Sequence, residues 1–224
     1  MRSLILVAAL CVVSGCSDKQ PPGATSPASG SGAAQGNAQG QAQAGKAEVG
    51  KPAPDFKLKD LEGKEVSLSS YKGKTVVLEW FNPECPFVKK SHTKGSLKGL
   101  ASTLTDKGVV WLAINSGAAG KQGTGVDKNK TGAEALEVKN PILLDESGEV
   151  GKMYGATNTP HMYVIDPSGV LVYSGAIDNS PDAEGESPAD GKLVNYVTDA
   201  IAALDEKRAV ATPSTKAYGC SVKY

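Results

Sequence analysis

Residues 75–90 read TVVLEWFNPECPFVKK, joining a strand, a turn and a helix start around one thiol. Val76, Val77, Leu78, Trp80 and Phe81 form a β-branched and aromatic run without helical spacing, the pattern of a buried strand, and Asn82-Pro83 breaks it. Cys85 then falls at the N-cap of a helix. Pro86 takes the first helical position, where its fixed φ fits and its missing N–H costs nothing. A sulfur placed there sits among unpaired backbone amides at the positive end of a helix dipole, with Lys89 and Lys90 one turn on. That setting favours the thiolate, the nucleophilic form. The other reading of Cys85 is an inert buried cysteine packed as a small apolar side chain.

The 24 Lys and Arg balance the 24 Asp and Glu, so no basic excess steers the chain onto nucleic acid and none is expected as a partner. Upstream, Arg2 precedes the apolar run Leu4 to Val13, followed by Val13-Ser14-Gly15-Cys16. That run is too short to span a bilayer, which takes about 20 apolar residues, so 1–15 read as a signal peptide. The segment resembles the lipobox of bacterial lipoproteins. The resemblance implies cleavage before Cys16, lipidation of its thiol, and a lipid-anchored protein in the bacterial cell envelope facing the periplasm or the exterior. A plain secreted protein cut near Gly15 is the alternative. Residues 16–48, rich in Gly, Ala, Gln, Ser and Pro, cannot bury enough surface to order themselves and read as a tether spanning roughly 30 Å. Residues 49–224 are expected to form one domain.

Within that domain, Leu58 to Leu68 read as a hairpin turning at Glu62-Gly63. A helix is expected from Pro86 to about Thr105, weakened and bent at Gly95 and Gly99. Val109 to Ile114 read as a strand, 117–130 as a polar loop, and 131–138 as a short helix. Ile142 to Leu144 is ambiguous. A helix over 148–154 and a hairpin of Met162 to Ile165 with Val170 to Gly175 come next. The acidic stretch 178–191 reads as a surface insertion, and Leu193, Val194, Val197, Ile201 and Leu204 mark a last amphipathic helix. The order ββαβαβαββα predicts an α/β fold with a mostly parallel core sheet ending in an antiparallel hairpin, flanked by helices.

These residues resemble a thioredoxin-fold redoxin. LEWFNPEC matches the thioredoxin spacing of an acid, two aromatics, three residues and the nucleophile, which puts Glu79 on the buried acid and Cys85 on the attacking cysteine. Thr159-Pro160 matches the cis-proline facing that cysteine. CPFVKK, YSGAID and the terminal GCSVKY are similar to a peroxiredoxin-like subfamily. The resemblance implies catalytic roles for Cys85, Cys220, Glu79 and Pro160, substrate contacts at Thr159 and Pro86, no cofactor, and a thiol or disulfide protein or a small hydroperoxide as partner. The sequence departs from both families. Val88 replaces the second cysteine of a CxxC, and Leu78 and Asn82 stand where peroxiredoxins carry proline and threonine. Beyond the signal peptide the one arginine is Arg208.

With Cys11 lost in the signal peptide and Cys16 lipidated, Cys85 and Cys220 are the thiols left to pair. Cys220 is read either as a resolving cysteine on a mobile tail or as half of a fixed staple. Such a staple would stabilise the fold by roughly 4–5 kcal/mol in the chain-entropy model. Glu79, costly to bury as an anion, is a candidate proton acceptor for a thiol; the alternative is a solvated glutamate at an edge. A Cys85, His92 and His161 metal site is weighed and not adopted, because His92 lies roughly 10 Å along the helix from Cys85.

Overall fold

A computed structural model describes residues 45–224; the signal segment, Cys16 and all but the end of the tether lie outside the described residues. The chain runs β1 (Lys57–Asp60), β2 (Glu65–Ser67), β3 (Val76–Trp80), α1 (Pro86–Thr93), α2 (Leu100–Thr105), β4 (Val110–Asn115), α3 (Val126–Ala135), β5 (Ile142–Leu144), α4 (Glu149–Tyr154), β6 (Asn158–Thr159), β7 (His161–Ile165), β8 (Leu171–Gly175), α5 (Tyr196–Asp205) and β9 (Cys220–Ser221). The hairpin and the buried strand read from the sequence account for β1, β2 and β3.

The main sheet has the order β2-β1-β5-β4-β3-β7-β8. Its centre, β5-β4-β3, is parallel, and β7-β8 closes one side as the expected antiparallel hairpin. The β1-β2 hairpin adds a second antiparallel flank, through β1 on β5. Every residue of β3 is buried because elements cover both faces, which is why its sequence shows a continuous apolar run instead of alternation. Val76, Leu78 and Trp80 join Leu112, Ile114 and Tyr163 in one core. Val77 joins Trp111, Met162 and Val164 against Val197 and Ile201 of α5 in the other. Each such side chain contributes on the order of 1.5–3 kcal/mol by its burial.

Five expectations need correction. The helix from 86 to 105 is two helices, because Gly95 passes so close to the Ala183 carbonyl that a Cβ there would lie 2.1 Å from its oxygen. Helix α3 starts at Val126 inside the expected loop. Asn129 is a buried residue of that helix, its amide donating to the carbonyls of Gly123 and Gly125, so a polar sequence faces inward. The 178–191 segment is only in part a surface insertion: Asp178, Ser180 and Ala183 are buried, and Glu184 pairs with Lys90 of α1 at 3.0 Å. Leu193 lies outside α5 and is exposed; the helix begins after Asn195, whose side chain caps the amides of Val197 and Thr198. At the other end, the Ala47 amide donates to Met153 O, so the ordered chain takes in residues before 49.

Candidate active site

Strand β3 delivers the chain to a tight turn that fixes Cys85. The Cys85 amide donates to Asn82 O, the Asn82 side chain accepts from the Glu84 amide at 2.9 Å and donates to Gln122 O at 3.0 Å. Glu84 clamps the same loop from the other side, accepting from the Gly123 amide at 2.7 Å and pairing with Lys128 at 3.3 Å. Cys85 caps α1 and Pro86 opens it, as the sequence predicts. The sulfur itself is placed differently. No amide of the helix reaches it; it donates to Thr159 O at 3.1 Å, and Cys85 is wholly buried with Phe81, Val88, Ala113, Leu136 and Ile142.

The Thr159–Pro160 peptide is cis, as the resemblance implies. Thr159 ends β6, and β6 pairs antiparallel with β9 so that Cys220 lies opposite Thr159. The two sulfurs come within 2.7 Å. Cys220 is therefore not on a mobile tail but in a docked strand. The Val222 amide donates to Thr157 O, Asn158 Nδ2 to Gly219 O, Tyr218 Oη to Asp178 and Tyr224 Oη to Ala156 O. Gly219, at φ 121, is required where the tail crosses β6: a Cβ there would lie 2.3 Å from Thr159 O. Pro86 is exposed beside the pair, and the rings of Phe87 and Tyr218 lie 6.4 Å apart.

Cys220 is half-buried. Burial, then the neighbouring Cys85, pushes its thiol up to about 11, against weaker pulls from the Phe87 amide and Lys223. At neutral pH it holds its proton.

Glu79 is buried, but no hydrogen bond joins it to either cysteine among the described residues. Its Oε1 lies 2.7 Å from His92 Nε2, and its Oε2 accepts from Trp111 Nε1 at 3.0 Å. The expected role as proton acceptor for the thiol rests on no direct contact: Glu79 belongs to a buried Glu79–His92–Trp111 group. His92, weighed only as a metal ligand, has its ring edge-on to Phe81. Its position two turns after Cys85, on the same helix face, was the available signal that it points at β3. His161 stacks on Tyr163 at 4.6 Å, and burial lowers its pKa to about 4, so it is neutral at pH 7. The two histidines keep separate partners, and among the described residues no group of three or more His, Cys, Asp or Glu is placed to hold a metal ion. A cleft of about 510 Å³ lined by Pro54, Ser69, Lys72 and Ile165 sits at the Val76 end of β3, away from the sulfurs.

Comparison with known proteins gives three findings. The profile of the Redoxin family matches residues 48–193, so β9 and Cys220 lie beyond the matched stretch. Among curated relatives, a thiol-disulfide oxidoreductase ResA of Bacillus thuringiensis subsp. konkukian is 30% identical over 134 residues, covering 57% of this chain and 69% of that protein. A putative peroxiredoxin in rubredoxin operon of Clostridium pasteurianum is 28% identical, over 56% of this chain and 76% of its own length. Among solved structures, an uncharacterized conserved protein from Geobacillus kaustophilus aligns with TM-score 0.67 and 34% identity over 79% of this chain and 92% of that one. A hypothetical protein from Sinorhizobium meliloti 1021 aligns with TM-score 0.67 and 27% identity, over 80% and 96%.

Proposed function

Because the chain belongs to the redoxin family, we propose that it is a thiol-dependent oxidoreductase whose working pair is Cys85 and Cys220. The observation that carries this reading is the 2.7 Å approach of two free thiols across β6 and β9. In the oxidative half-reaction the Cys85 thiolate attacks a substrate sulfur or peroxide oxygen, and the leaving thiolate or alkoxide takes up a proton. Cys220 then displaces the remaining group from Cys85, closing a disulfide. Thr159 and Pro160 form the wall against which the Cys85 sulfur is held, and Pro86 lies at the rim. Glu79 and His92 are positioning residues that fasten α1 to β3.

Thiol–disulfide exchange is the favoured chemistry. Leu78 is apolar, and the Asn82 side chain is spent on the Gln122 and Glu84 backbone, so neither supplies the polar setting of a peroxide site. The alternative of a fixed staple draws support from the docked tail. A redox titration of the purified domain, read by thiol mass labelling, separates the two: a catalyst is expected to titrate above about −300 mV, and a staple below it.

For location we propose a lipid anchor at Cys16 and a position in the cell envelope, on the strength of the Val13-Ser14-Gly15-Cys16 sequence. Cys16→Ser is expected to release the protein from membrane fractions or leave it unprocessed. A processed Cys16→Ser protein still pelleting with membranes would count against lipidation.

A further inference from the structure

We propose that Asn115 and Asn129 are positioning residues for the redox pair: they hold the loop 117–125 as a brace that keeps the turn bearing Cys85 and the strand bearing Cys220 at a fixed separation. This rests on the redox-pair reading above. Three observations carry it.

The first is the anchor. Asn129 is wholly buried on α3, and Asn115 is buried at the end of β4. A buried primary amide is costly unless its donors and its acceptor are met. Here all are met, and most of the bonds go to one loop. Asn129 Nδ2 donates to Gly125 O at 2.8 Å and to Gly123 O at 3.1 Å. Asn115 Nδ2 donates to Gly123 O at 2.8 Å and to Asn129 Oδ1 at 3.0 Å, and Asn115 Oδ1 accepts from the Gly117 amide at 3.0 Å. The Gly123 carbonyl thus receives both side-chain amides, and the loop is pinned at 117, 123 and 125.

The second is where the rest of that loop bonds. The Gly123 amide donates to Glu84 Oε2 at 2.7 Å, and Gln122 O accepts from Asn82 Nδ2 at 3.0 Å. Asn82 and Glu84 flank Pro83 in the turn that leads into Cys85. At the other end of the loop the Ala118 amide donates to Lys223 O at 2.7 Å, three residues past Cys220. One short loop therefore bonds to both cysteine-bearing segments.

The third is the lack of slack. Gly123 has φ 73 and leaves no room for a Cβ against the Asn82 side chain, and Gly132 of α3 leaves none against Pro83. The loop and α3 lie directly on the cysteine turn, so a shift of one is a shift of the other. Closure of a disulfide needs the two sulfurs to meet in line, and a misplacement of about 1 Å is enough to cost on the order of 100-fold in such a step.

The equilibrium that reads this geometry is closure of the 85–220 bridge by oxidised glutathione. One disulfide and two thiols become one disulfide and two thiols: the glutathione S–S bond breaks, the Cys85–Cys220 bond forms, and the two protons of the protein thiols end on two molecules of reduced glutathione. Two electrons pass from the protein to glutathione disulfide.

The test uses the full chain. Wild type and Asn129→Ala are equilibrated in graded glutathione buffers, acid-quenched, alkylated and mapped by mass for the 85–220 bridge, with urea melts of the dithiol form run alongside. The bridge-forming equilibrium constant is expected to fall about tenfold in Asn129→Ala, well within what a small misplacement of the sulfurs costs. A residue that only stabilises the fold weakens the dithiol and disulfide forms alike and leaves that constant unmoved, so an Asn129→Ala protein of lower stability with a constant within about twofold of wild type would overturn the proposal. Glu84 supplies a second test at a half-buried position, and it decides alone where Asn129→Ala does not fold. Glu84→Ala cuts the loop from the cysteine turn and is expected to lower the constant as Asn129→Ala does. Glu84→Gln removes the charge, keeps an acceptor for the Gly123 amide, and is expected to stay within about twofold of wild type. A Glu84→Ala protein with an unchanged constant, or a Glu84→Gln protein shifted as far as Glu84→Ala, would overturn the brace. A wild type that forms no 85–220 bridge in any buffer instead sinks the redox-pair reading on which the proposal rests.

Discussion

Cys220→Ser, treated with mild peroxide or a disulfide substrate, is expected to accumulate Cys85 as a sulfenic acid or mixed disulfide and to lose multiple turnover. The sulfur of Cys220 lies 2.7 Å from that of Cys85, and among the described residues these are the two free cysteines. With Cys220 gone nothing in the domain can displace the group on Cys85, so the first step becomes the last. Stability separates this from a structural role. Against the reduced wild type the variant should change by only about 1 kcal/mol, because serine is close to cysteine in size and Cys220 is only partly buried at the margin of its cluster. A staple requires a loss of about 5 kcal/mol against the oxidised wild type. Mass spectrometry and urea melts on the same samples decide: no Cys85 adduct, together with no turnover in wild type, ends the catalytic reading.

Glu79→Ala should be among the most destabilising single changes in the domain, by about 3–5 kcal/mol. The carboxylate is fully buried and both oxygens are engaged, so truncation strands His92 and the Trp111 indole N–H in an apolar interior and leaves a cavity. Glu79→Gln keeps the shape and one partner and should cost about half as much. If the carboxylate served as the thiol's general base, Glu79→Gln would slow exchange by roughly 100-fold or more. The geometry, with no hydrogen bond from Glu79 to either sulfur, expects a change of about threefold or less, well under that general-base range. Urea denaturation and stopped-flow exchange on the two variants measure both; an Ala variant losing under about 1 kcal/mol would refute the network's structural weight.

The parts of the site that were legible are those written within one short stretch. Strand, breaker, cysteine and proline follow one another in 75–90, and local rules for strands and helix starts suffice to place them. The cis Thr159–Pro160 bond and the β7-β8 hairpin were equally readable, one from motif and the other from its turn. What escaped was pairing at a distance. Strand β9 is a two-residue strand with no periodicity of its own, formed because β6 offers it an edge, so nothing in GCSVKY announces that it is docked. The Glu79–His92 pair joins a strand to a helix, and each residue alone supports another reading. The 178–191 segment looked like surface because its carboxylates are numerous, yet the Asp182 carboxylate caps the Glu184 and Gly185 amides and lets Ala183 fold inward.

The two sulfurs are 135 positions apart in the chain. Bringing them together means closing nearly the whole domain, and contacts of such separation form late because the entropy of the intervening loop opposes them until the local elements are in place. During folding, Cys85 reaches its place on α1 from local sequence alone, whereas Cys220 arrives only after β6 is in place and can receive β9. An 85–220 disulfide is thus evidence that the chain has completed its topology, and oxidants acting earlier meet two thiols with no native partner. If Cys85 and Cys220 are the working pair, redox competence and the end of folding coincide.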